Sequence, residues 1–70
     1  MSNTKTLADA LPDEIARVTR ILGYYLEIGP AGALGAMFIR ADLDRATRAA
    51  ASGDIVAMVQ ALEALKEYKE

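Results

Sequence analysis

The chain has 70 residues with no cysteine and no histidine, which excludes a disulfide staple and a zinc site of Cys/His type. Its net charge of −2, from 8 basic and 10 acidic residues, is not the strongly basic balance of a nonspecific nucleic-acid binder. No apolar run approaches the ~20 residues that cross a bilayer, and Met1-Ser2-Asn3-Thr4-Lys5-Thr6 contains no secretory apolar core.

A chain this short makes one domain, and such a domain is marginal on its own. With disulfide and zinc excluded, oligomerisation is the staple that remains. The hydrophobic content is 53%, much of it alanine, which favours closely packed helices. The expected location is cytoplasmic, with no membrane partner.

Residues 1–10 read as a flexible polar arm, and 11–70 as a single three-helix domain. Leu11-Pro12-Asp13-Glu14 opens the first helix. Proline suits the first helical position, and acids suit the positive end of the dipole. Ile15, Val18, Ile21, Leu22, Tyr25 and Leu26 follow at helical spacing and predict its buried stripe. Arg17, Arg20, Tyr24 and Glu27 fall largely off it. Gly23 interrupts at a cost of roughly 1 kcal/mol relative to alanine, which close approach of another helix would explain.

Gly29 ends this helix and Pro30 starts the second, which runs over residues 31–51. Ile39, Leu43, Ala46 and Ala50 form one stripe; Leu34, Phe38 and Ala41 form another, roughly 140° away at 3.6 residues per turn. A helix in a single small core needs one apolar stripe. The two-faced start therefore predicts an oligomer interface made by Leu34, Met37, Phe38 and Ala41. Gly53 reads as a left-handed C-cap and Asp54 as the N-cap of a third helix over 55–68. Ile55, Met58, Val59, Leu62 and Leu65 make its stripe, and Met37 and Met58 read as core filler rather than binding surface. The charged tail Lys66–Glu70 is expected to fray.

Parts for nucleophilic catalysis are missing: Ser2 sits in the arm, Ser52 beside a cap, and neither has a base. The carboxylate pairs Asp13/Glu14 and Asp42/Asp44 read as structural, the second because residues two apart do not share a helix face. A carboxylate site assembled between subunits is the one catalytic arrangement left open. No enzyme activity, cofactor or metal is expected.

Two groups could hold an anion. Gly29 and Gly32, in Gly29-Pro30-Ala31-Gly32-Ala33-Leu34-Gly35, sit at a helix start, where free N–H groups gather. The spacing is neither a dinucleotide fingerprint nor a P-loop, and a tight helix–helix turn is the stronger account of it. Arg17 and Arg20 could pair with phosphate while Tyr24 stacks on a base. Arg40, Arg45 and Arg48 are diluted by Asp42 and Asp44, and pairs such as Asp44 with Arg48 account for them.

Ile28-Gly29-Pro30-Ala31-Gly32, then Ile39, Leu43 and Ala46, then Ser52-Gly53-Asp54-Ile55-Val56-Ala57-Met58 together resemble small helical proteins of bacterial phages and prophages, over about residues 11–66. Ala46–Leu62 is also similar to one hairpin of a tetratricopeptide repeat, though one hairpin is not an array. The phage resemblance implies a bacterial host cytoplasm. It also suggests an analogy to homo-oligomeric phage sponges that capture nucleotide signals of Thoeris or CBASS immunity.

The expectation is an all-α homo-oligomer that binds without catalysis. The specific reading is sequestration of a cyclic ADP-ribose or cyclic dinucleotide signal between subunits, through Arg17, Arg20, Tyr24, Gly29 and Gly32. The alternative is a protein–protein interaction module, which predicts an exposed apolar patch where the sponge predicts convergent arginines. A DNA-binding regulator ranks below both, because no base-reading helix is evident.

Overall fold

The computed structural model describes residues 6–69, so half of the expected arm, residues 1–5, lies outside the described residues, and residues 7–10 of it are helical. Three α-helices follow one another among them: α1 (Leu7–Ile28), α2 (Ala33–Ser52) and α3 (Ile55–Lys66), with a 3₁₀ turn, Gly29–Gly32, between the first two. No strand occurs among the described residues.

Helix α1 begins at Leu7, ahead of the expected Leu11. Thr6 is its N-cap: its hydroxyl accepts from Asp9 N–H at 3.2 Å and donates to the Asp9 carboxylate at 3.0 Å. Side-chain capping of this kind satisfies donors that the first turn leaves orphaned. Pro12 therefore lies inside the helix rather than at its first position. It forfeits the bond to the Ala8 carbonyl, a loss softened by the exposure of Ala8. The first-turn acid is Asp9, not the expected Asp13 and Glu14.

At its far end α1 stops at Gly29, whose φ of 85° only glycine adopts readily. The chain then tightens into the 3₁₀ turn instead of passing directly into a second α-helix at Pro30. Between α2 and α3, Gly53 takes the left-handed conformation and donates to Ala49 O at 3.2 Å, while the Asp54 side chain accepts from Ala57 N–H at 3.2 Å. These are the two caps that the sequence predicts.

The core is built from Leu11, Val18 and Ile21 of α1, Ile39, Ala46 and Ala49 of α2, and Met58, Ala61, Leu62 and Leu65 of α3. Alanine at 46, 49 and 61 lets α2 and α3 approach closely. The expected stripes shift accordingly. Leu26 on α1, and Ile55 and Val59 on α3, stand in solvent, while Ala61 is buried. Ala49 replaces the exposed Ala50 at the α2 contact.

Helix lengths decide the shape. At 1.5 Å per residue α1 spans about 33 Å and α3 only about 18 Å. Helix α3 packs on both α1 and α2 but makes no contact with the 3₁₀ turn. The molecule is accordingly elongated, 43 × 27 × 15 Å. The α1–α2 hairpin ends in a tip around the 3₁₀ turn, which α3 does not contact, while Tyr68, just past α3, lies near Tyr25 on the tip's inner side.

Candidate functional site: the uncovered hairpin tip and its groove

The tip is held by glycines packed on one tyrosine. A Cβ on Gly32 would overlap the backbone carbonyl of Tyr25, and one on Gly35 would overlap the Tyr25 ring. Glycine at 32 and 35 thus admits α1 and α2 to close contact, and Gly32 is buried. Two of the sequence expectations change here. Gly32 serves packing rather than an exposed anion cradle. At Gly23 the expected close helix contact is missing, since a methyl group added there would meet nothing within 4 Å.

Around this joint the large apolar side chains face outward. Nine large hydrophobics are exposed among the described residues, and six of them, Tyr24, Leu26, Ile28, Leu34, Met37 and Phe38, belong to the tip. Leu34 is 62% and Phe38 57% exposed. Side chains of this size, about half exposed, leave on the order of 100 Å² each in water. All four residues of the expected interface, Leu34, Met37, Phe38 and Ala41, face solvent, so Met37 is not the core filler expected of it, whereas Met58 is.

Helix α2 carries this surface into a groove. Ala41, Arg45, Arg48 and Ser52 follow at steps of four, three and four, which is one line along a helix. With Asp44 and Ala49 they form the α2 wall of an open groove of about 420 Å³ against Ala57 and Gln60 of α3. Continued toward the N-terminus, the same line passes through Phe38 and Leu34. Its arginines pair with neighbours on the same helix: Arg48 with Asp44 at 2.7 Å and Arg45 with Asp42 at 3.4 Å. The first is the pair that the sequence predicts. Arg48 is 79% exposed, so this pair is worth only tenths of a kcal/mol.

The arginine and tyrosine group expected to meet a ligand is divided. Arg17 is half-buried and faces the end of α3. Its Nε and Nη2 donate to the Glu14 carboxylate at 2.9 and 3.0 Å, Nη2 also to Leu65 O at 3.0 Å, and Nη1 to Tyr68 O at 2.8 Å. A planar guanidinium fork suits this task, capping carbonyls that a helix C-terminus leaves open. Arg17 is thereby a brace between α1 and α3. Arg20 and Tyr24 remain on the exposed side of α1, and Gly29 is occupied with the helix stop.

Tyr68 completes the brace. The tail expected to fray is anchored at this residue, which packs against the core. Its hydroxyl donates to Asp42 Oδ2 at 2.6 Å. Burial, together with the hydrogen bond and the negative charge of Asp42, pushes the phenol from 10.0 up to about 12. Asp42 is therefore a structural acceptor turned inward, while Asp44 is turned out. Ser52 likewise serves the turn: its hydroxyl donates to Ala49 O at 2.9 Å and accepts from Asp54 N–H at 3.1 Å. No local pattern announces the brace, because Arg17 and Tyr68 are 51 positions apart and Tyr68 and Asp42 are 26 apart.

No described helix is long and apolar enough to cross a membrane. No group of three or more acidic residues is placed to hold a metal among the described residues. Comparison with family models, with curated proteins and with solved structures found no match.

Proposed function

We propose that this chain is a non-enzymatic interaction module that works by self-association through the outward face of the α1–α2 tip. The observation that carries it is the set of exposed apolar side chains on either side of a 3₁₀ turn that α3 does not contact. Burying such surface is the main favourable term in association, and a three-helix domain of 70 residues gains most from it. The composition supports binding over turnover: histidine and cysteine are missing, Asp42 is held by Tyr68, and Asp44 by Arg48.

Capture of a nucleotide signal draws less support from the geometry. Arg17 braces α3, Gly32 packs on Tyr25 and Gly29 makes the helix stop, so three of the five expected contacts have structural roles. The phage resemblance takes no part in the choice.

Sedimentation over a wide concentration range tests the proposal. The wild type is expected to form a dimer or larger species, and Phe38→Glu to stay monomeric with its helix content intact. A wild type that remains monomeric at millimolar concentration refutes the reading.

A further inference from the structure

Three exposed large hydrophobics lie away from the tip, and all three are on the outer face of α3: Ile55, Val56 and Val59. The line they start has a definite order. Val56, Val59, Glu63 and Glu67 follow at steps of three, four and four, and all four are exposed. The line on α2 has the matching order. Phe38, Ala41, Arg45 and Arg48 follow at steps of three, four and three, and are exposed as well. Each line is apolar at its N-terminal end and charged at its C-terminal end. The first charge after the apolar end is Glu63 on α3, with Lys66 and Glu67 beyond it, and Arg45 on α2, with Arg48 beyond it paired to Asp44.

We infer that the α2 groove of one copy receives the outer face of α3 from a second copy, with the two helices running parallel. In that orientation Val56 meets Phe38, Val59 meets Ala41 and Glu63 meets Arg45. The antiparallel orientation sets the carboxylates on the apolar end and the arginines on valines, so charge selects one direction. Two copies of the α2 line facing each other in parallel would set arginine against arginine, which disfavours that pairing. Small side chains at Ala41, Ala49 and Ala57 leave room in the groove for an incoming helix. The arginines can exchange partners, since their pairs with Asp42 and Asp44 are weak contacts within one helix. The contact joins two different surfaces, so it closes reciprocally into a dimer or propagates head to tail. Both outcomes use the same residues.

The inference rests on the self-association proposed above and extends it from Phe38 at the tip along the α2 groove, naming the surface of the second copy that fills the groove. Charge exchange tests it. Arg45→Glu alone and Glu63→Arg alone should each weaken association by about tenfold or more at low salt. An equimolar mixture of the two variants should recover association, because each unlike pair restores an acid opposite a base. Misfolding of either variant cannot produce that recovery. A mixture that associates no better than the single variants overturns the inference. So does Val56→Asp with unchanged association while Phe38→Glu is monomeric, a result that leaves self-association standing with another occupant. Unchanged association in Phe38→Glu removes the underlying reading as well.

Discussion

An added methyl group distinguishes the helical glycines. At Gly23 it meets nothing within 4 Å, so the residue costs backbone entropy with no packing return. Gly23→Ala is expected to stabilise the fold by about 0.5–1 kcal/mol, visible as a melting increase of a few degrees. At Gly35 the same methyl displaces the Tyr25 ring from its place between α1 and α2. Gly35→Ala should destabilise by about 1–3 kcal/mol, the usual penalty for overpacking. Chemical denaturation of both variants checks the opposite signs, and equal effects would mean that the Tyr25 joint does not hold the tip. Tyr68 offers a second residue-level measurement. Its phenol titrates near 10.0 in an unfolded chain and near 12 in the fold. The folded state therefore keeps the proton longer, and the stabilisation is fully present below pH 10.0 and lost as pH rises toward 12. Tyr68→Phe should be less stable than wild type at neutral pH, and the difference should shrink across that alkaline window. A constant difference would show that the Asp42 hydrogen bond is not its source.

At the scale of elements, α3 is short and its C-terminus is finished by α1. Arg17 supplies the Leu65 and Tyr68 carbonyls with donors while Glu14 holds the guanidinium in place. Arg17→Ala should cost about 1.5–3 kcal/mol, the range for hydrogen bonds from a charged group. Arg17→Lys should recover little, because a point charge cannot reach both carbonyls and the carboxylate together. Urea unfolding gives the first number. Hydrogen exchange should show the loss concentrated at the end of α3, and uniform loss along all helices would argue against a local cap. The elements themselves are largely legible in sequence. Gly53 and Asp54 announce their caps, Gly29 its stop, and the three apolar periods their helices. The start of α1 is legible too, as Thr6 three residues before Asp9, but Pro12 offers a competing start signal. What local patterns do not reveal is which side of a weak stripe turns inward. Helix α3 turns Ala61 inward and Val59 outward, the reverse of what side-chain size favours. The candidate site is legible in part: Leu34, Met37, Phe38 and Ala41 stand out as a second apolar face. The brace at Arg17 is hidden, since its partners lie about fifty positions away.

For the whole molecule, self-association and stability should be one measurement. A domain of this size has little margin, and the tip leaves apolar surface in water that another molecule can cover. If the folded chain binds itself and the unfolded chain does not, mass action raises the melting temperature with protein concentration. Phe38→Glu separates this coupling from intrinsic stability. Phe38 is 57% exposed, so replacing it removes little packing from the isolated fold, and exposed sites of this kind usually shift stability by about 0.5 kcal/mol or less. Glutamate is also a good helix former. At low concentration, where association is absent, wild type and variant should therefore melt close together. As concentration rises by orders of magnitude, the wild type should climb and the variant should not. Calorimetry or circular dichroism across that range makes the comparison. Parallel flat curves for both proteins would mean that the exposed tip contributes nothing to assembly, and a variant that is much less stable even when dilute would place Phe38 in the monomer core instead.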